Sequence, residues 1–161
     1  MRSIPLLMLM STACGTVPSW GRDAFGLWNV HSAGSTSSGF STERFTVRFD
    51  RHTKGEVFTL DWIDGDGWST TSSTILYLDS KPRDFEGFGC SGTQSSRRLD
   101  SRTVEIVRTC GTGEWTRFVR RLSTQPRQLV LEITEQRSDG RRFEQRLVLE
   151  RQFIARTRQL K

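Results

Sequence analysis

Residues 44–50 read Arg-Phe-Thr-Val-Arg-Phe-Asp, and their order decides the fold. Phe45, Val47 and Phe49 share one face of an extended chain, while Arg44, Thr46, Arg48 and Asp50 share the other. Apolar residues at every second position with polar alternates mark an antiparallel strand that has one wet face. The pattern recurs outward from this point. Phe58, Leu60 and Trp62 form the next apolar face, followed by Leu76 and Leu78 at the end of a Thr/Ser-rich run that starts at Trp68. Further along come Val104 and Ile106, Trp115 and Val119, then Leu129, Leu131 and Ile133, and finally Phe143, Leu147 and Leu149.

Short turn signals separate these runs: Thr53-Lys54-Gly55, Asp64-Gly65-Asp66-Gly67, Lys81-Pro82, Leu99-Asp100-Ser101-Arg102, Gly111-Thr112-Gly113, Gln125-Pro126 and Ser138-Asp139-Gly140. Each can reverse the chain without a crossover helix. The reading is an all-β chain, a single antiparallel up-and-down meander of about 8–10 strands. Such a meander must protect its edge strands, and closure into a β-barrel removes them. A β-sandwich is the competing closure.

The chain has 161 residues, enough for one domain with its own core. Its 34% hydrophobic content is low, yet ten Phe and five Trp supply the large apolar units that a disordered chain of this charge would lack. The formal charge is +6, carried almost wholly by arginine, with Lys54, Lys81 and Lys161 the three lysines. Arg44, Arg48, Arg120 and Arg142 fall at positions read as outward-facing and are interleaved with acids, the pattern of a solvated surface rather than of a nucleic-acid face.

The first fourteen residues carry an address. Arg2, an apolar run from Ile4 to Met10, the small residues Ser11, Thr12 and Ala13, and then Cys14 follow the layout of an export signal, too short for a retained membrane helix. The stretch resembles a bacterial lipoprotein signal, with Ser-Thr-Ala-Cys in place of the usual Leu-Ala-Gly-Cys. The expected layout is a signal peptide over 1–13, lipidation at Cys14, a tether over 14–24, the barrel over 25–152 and a polar tail over 153–161. That resemblance implies a lipid-anchored protein of the bacterial cell envelope; ordinary cleavage would instead give a soluble periplasmic or secreted protein.

With Cys14 assigned to lipid, Cys90 and Cys110 form an even pair in an oxidising compartment, and a disulfide between them is expected. A polar strand from about Gln94 to Arg98 is read as lying between them, which would hold them about 9.6 Å apart unless the Gly89-Cys90-Ser91-Gly92 loop leans over.

Gly26-Leu27-Trp28, opening the strand-rich region as part of Phe-Gly-Leu-Trp-Asn-Val, resembles the Gly-x-Trp signature of lipocalins and their calycin relatives. A long first loop is expected from His31 to Thr42. The resemblance implies a lipocalin-like barrel over Phe25 to about Gln152, with Trp28 closing one end and a basic residue late in the last strand packed over its ring. Arg151 shares the parity of Phe143, Leu147 and Leu149 and takes that role; Arg146 has the opposite parity.

Chemistry is sparsely marked. Asp61, Asp64 and Asp66 lack the closing Glu of a calcium loop, and His31 and His52 have no metal-ligand spacing. No Gly-x-Ser-x-Gly occurs, and no pair of acids stands out among eighteen. The expectation is therefore no enzyme, no metal and no cofactor. The function read here is a binding protein that holds a small hydrophobic or amphipathic molecule among Trp28, Phe45, Phe58, Leu60, Trp62, Ile106, Trp115 and Leu131. The small polar residues from Ser69 to Thr74 would leave space inside. The alternative is a filled barrel acting as a structural or interaction lipoprotein, contacting anionic envelope components through an Arg-rich surface.

Overall fold

A computed structural model describes residues 24–35, 45–63, 66–87, 90–124 and 128–152. Ten antiparallel strands follow one another: β1 (Gly26–Ser35), β2 (Phe45–His52), β3 (Gly55–Ile63), β4 (Ser69–Leu76), β5 (Arg83–Gly87), β6 (Cys90–Arg98), β7 (Thr103–Cys110), β8 (Trp115–Leu122), β9 (Gln128–Gln136) and β10 (Arg142–Arg151). Their order across the sheet is β4-β3-β2-β1-β10-β9-β8-β7-β6-β5. The first and last strands are thus zipped together, and the two sheet edges are β4 and β5, consecutive in the chain. The result is an up-and-down meander rolled into a nearly closed barrel, as the alternation required.

Period two sets which residues face inward. Phe45, Val47 and Phe49 stand opposite Trp62, Leu60 and Phe58 across the β2–β3 ladder, and this face joins the buried cluster of Trp28, Leu76, Ile106, Phe118, Leu131 and Leu149. Phe49 stacks on Phe58 with ring centroids 5.2 Å apart, and Phe118 meets Phe58 edge-on at 5.9 Å. β8, distant in the sheet from the paired β2 and β3, therefore meets them through the barrel's middle.

One end is shut by the residues that the lipocalin resemblance singled out. The Trp28 indole is buried, its Nε1 donates to the Ala24 carbonyl at 3.0 Å, and the Arg151 guanidinium lies 5.3 Å from its ring. Arg151 opposes Trp28 across the β1–β10 ladder and donates to the Phe25 carbonyl at 2.5 Å. Ala24 is itself buried, so it belongs to the barrel end rather than to a tether.

Several readings need correction. β1 runs on through His31–Ser35, with a register shift between Val30 and Ser32, where a loop was expected. In β8 the alternation is inverted relative to hydrophobicity: Phe118 and Arg120 oppose the core residues Ile133 and Leu131, which turns Trp115 and Val119 to the outer face. Arg120, expected on the surface, is buried. Cys90 opens β6, the direct neighbour of β7, because residues 83–87 form a strand of their own. No strand separates Cys90 from Cys110, and the two form a disulfide with Cα atoms 5.3 Å apart. Gly92 stands opposite Cys110, where a Cβ would collide with the Thr109 carbonyl and crowd Cys110 Cα at 2.9 Å. Only glycine allows that approach. The signal peptide, Cys14, most of the tether and the 153–161 tail lie outside the described residues.

Candidate ligand-binding site

The interior has two kinds of surface. Around Trp28 it is hydrocarbon and filled. Toward β4, β5 and β6 it is polar, because strand parity carries Thr74, Gln94, Ser96 and Arg108 inward among the aromatic rings. Gln94, Ser96 and Arg108 are all buried.

Arg108 is the chemical centre of this side. It shares the inward parity of Val104 and Ile106 on β7, and its guanidinium carbon lies 4.3 Å from the Phe85 ring centre, 4.9 Å from Phe118 and 5.8 Å from Phe58. Its Nε donates to Gln94 Oε1 at 2.9 Å. Burial pulls its pKa well below the ordinary arginine range, to about 9, because a charge removed from water loses its hydration. The phenyl faces recover part of that loss through their quadrupoles.

A second buried arginine lies nearer the closed end. Arg120 Nη1 donates to Glu56 Oε2 at 2.6 Å, and Arg98 Nη2 reaches Glu56 Oε1 at 3.3 Å. One carboxylate thus ties β3 to β6 and β8 across the barrel. Arg98 has its pKa lowered by burial first, with Arg120 adding repulsion and Glu56 opposing both.

Between β4 and β5 a cavity of about 230 Å³ is lined by Thr74, Ile75, Tyr77, Arg83, Asp84, Gln94 and Ser96. Arg83 stands 3.8 Å over the Tyr77 ring and grips Asp79 with two hydrogen bonds of 2.8 and 2.6 Å. That pairing with Arg83 holds the Asp79 carboxyl well below its ordinary range.

None of the eight residues expected to contact a ligand lines this cavity. Trp28, Phe58, Leu60, Ile106 and Leu131 are packed into the core cluster. Phe45 and Trp62 are partly buried cross-strand neighbours at the other end, and Trp115 is on the outer face, its Nε1 donating to Gln136 at 3.1 Å. Of the Ser69–Thr74 run, Thr74 does line the cavity. Gln94 and Ser96, which line the cavity, and Arg108 behind Gln94 each keep the parity of the inner face on their strands, a signal that apolar alternation alone does not carry. Among the described residues no group of three or more His, Cys, Asp or Glu could hold a metal ion.

No family model and no curated protein matches the chain. Solved structures do. A fatty acid binding protein of Schistosoma mansoni, in complex with arachidonic acid, superposes with a TM-score of 0.57 at 10% identity, covering 81% of this chain and 97% of that one. The zebrafish ileal bile acid-binding protein, complexed with cholic acid, gives 0.51 at 12% identity, covering 80% and 98%. The fold is a ten-stranded antiparallel up-and-down barrel like that of these two proteins. Its ten strands exceed the eight of a lipocalin and resemble these two binding proteins in architecture.

Proposed function

We propose that this protein binds a compact amphipathic acid, holding the acid group at Arg108 and the apolar part along the neighbouring aromatic rings. The observation that carries the reading is Arg108 itself. A guanidinium buried beneath three phenyl rings gains from any anion that reaches it, and a carboxylate can take two of its donors at once. The two superposed structures hold a fatty acid and cholic acid, both apolar bodies carrying a carboxylate, which supports the same class. The cavity of about 230 Å³ stops at Gln94, whose amide holds Arg108, and is below the usual 300–1,000 Å³ of small-molecule sites, so the ligand must be short and must displace that amide to reach the guanidinium.

Isothermal titration with octanoate, decanoate and cholate, each against its uncharged alcohol or ester, tests this reading. Saturable binding of an acid near micromolar affinity, about −8 kcal/mol, is expected, with the neutral analogue much weaker. Equal heats for acid and analogue, or none for either, would refute it.

The export reading completes the proposal: anchored through a lipid on Cys14, the barrel works in an oxidising envelope, where the Cys90–Cys110 bond persists. Incorporation of a labelled lipid precursor into the parent, and none into Cys14→Ser, is the expected result.

A further inference from the structure

Successive strands around the barrel share a backbone ladder until the order ends at β4 on one side and β5 on the other. Across that seam, side chains do the work. Gln94 Nε2 donates to Thr74 Oγ1 at 3.0 Å and reaches the Ile75 carbonyl at 3.5 Å. The link from β4 to β5 is held by β6: Leu78 N donates to Ser96 Oγ at 3.1 Å, Ser80 N to the Ser96 carbonyl at 2.9 Å, and Asp79 bridges Arg97 through the backbone. Leu78 and Ser80 sit at φ values of 59° and 65°, a left-handed region that residues with a Cβ occupy at a cost and keep only where their surroundings hold them.

The cavity at this seam has a telling lining. Thr74 and Ile75 are consecutive on β4 and point to opposite faces of the wall, as do Arg83 and Asp84 on β5, and all four border the same space. The space therefore lies at the open edge of the wall and reaches inward as far as the buried Gln94. Gln94 stands at the inner end, with its amide nitrogen on β4 and its amide oxygen on Arg108.

The geometry points to the β4–β5 seam as a gated passage from solvent to Arg108, with the Gln94 side chain as the gate. This rests on the reading of Arg108 as the acid's anchor. Two side-chain contacts to one amide open far more often than a backbone ladder, so the seam is the place where the barrel wall parts most readily. An acid arriving at Arg108 meets the donors that Gln94 shares, and can loosen the amide's grip on the wall as it docks.

Two variants of the full chain test the passage. Thr74→Val removes the acceptor on the wall and leaves the Gln94–Arg108 contact in place. Ser72→Cys with Gly87→Cys locks the seam, since a Cβ on Gly87 would lie 2.8 Å from Ser72 Oγ; Gly87 holds a φ of 157° that a residue with a Cβ rarely adopts, so the reduced double variant and each single variant serve as its controls. Hydrogen exchange and stopped-flow Trp fluorescence with octanoate are the readouts. In Thr74→Val, exchange in β4 and β5 should rise by about tenfold relative to β9, and association and dissociation should both quicken. The oxidised double-cysteine variant should associate about tenfold more slowly than either single variant. Unchanged exchange in Thr74→Val, or parental association rates in the locked variant, would overturn the passage. If the parent binds no acid, the proposed function falls, and exchange alone decides the gate: β4 and β5 opening no faster than β9 removes it.

Discussion

Two arginines point into the same barrel and meet opposite surroundings. Arg120 is gripped by Glu56 and stacks 4.3 Å over Phe49, close to the sealed end. Arg108 lies among Phe58, Phe85 and Phe118 and gives its Nε to a neutral amide. At the first site the charge is part of the masonry, since the carboxylate it needs was folded in with it. At the second the cation is surrounded by rings and an amide that can also serve a guest. Burial of an identical group thus yields a strut in one place and a receptor in the other, and the partner on the facing strand decides which.

The largest difference between the two should appear in stability. Arg120→Met leaves Glu56 buried with only Arg98 near it, and breaking a buried pair on one side costs about 3–5 kcal/mol. Arg108→Met removes a poorly hydrated charge but leaves the buried Gln94 Oε1 without that donor, so the loss should be smaller, about 1–3 kcal/mol. Urea unfolding followed by Trp fluorescence reads both. Equal losses would erase the distinction, making Arg108 a strut as well.

The Cys90–Cys110 disulfide clamps β6 to β7, the strands that carry Gln94 and Arg108. In the chain-entropy model a bond across 20 residues contributes about 3 kcal/mol. Cys110→Ser should therefore lose about 2–5 kcal/mol, and non-reducing peptide mapping of the parent should find the two cysteine peptides linked. Free, alkylatable thiols in the oxidised parent would remove the clamp. If the receptor side relies on it, acid binding should weaken in Cys110→Ser at temperatures where the protein is still folded.

The acid's affinity should follow the charge on Arg108. With its pKa lowered to about 9, Arg108 is cationic at neutral pH and loses its proton as pH rises through that value. Acid binding should be flat from about pH 7 to 8 and then fall by up to tenfold for each further pH unit above about 9, reading Kd by titration. The same group gives folding the opposite slope. An unfolded chain holds the Arg108 proton to higher pH than the folded one, so this residue's contribution to stability rises between about pH 9 and the ordinary arginine range. Arg108→Met should abolish the pH dependence of binding together with about 1.5–3 kcal/mol of acid preference. A persisting preference in that variant would move the anchor elsewhere.

How much of this was legible depended on what each strand's alternation was made of. The meander and the inward faces of β2, β3, β9 and β10 follow from apolar residues repeating at period two, whereas the Trp28–Arg151 pair comes from the resemblance of Gly26-Leu27-Trp28 to the lipocalin signature. β8 misled for a physical reason. Its inner face carries Thr116, Phe118 and Arg120 while its outer face carries Trp115 and Val119, so hydrophobicity points the wrong way unless Arg120 is known to find Glu56. That partner lies 64 residues away, and only the closed barrel brings the two together. The seam was invisible for a similar reason. Gln94 and Ser96 sit in a polar run that resembles a solvated strand, and their burial arises from what β4 and its link place against them.

The smallest expected effect belongs to the sealed end, and it tests whether charge there is purely structural. Arg151 lies over the Trp28 indole and donates to the Phe25 carbonyl. Arg151→Met keeps the hydrocarbon stem and removes the cation, forfeiting about 0.5–2 kcal/mol of ring attraction. The Trp28 emission should shift with the changed surroundings, whereas Kd for the acid should stay within about twofold, because the ring cage of Arg108 is built from other residues. Arg151→Lys should recover only part of the loss, since an ammonium does not stack on the indole as a planar guanidinium does. A large fall in acid affinity in Arg151→Met would couple the two ends, and the division of the barrel into a strut and a receptor would have to be replaced by a single charged interior acting as one unit.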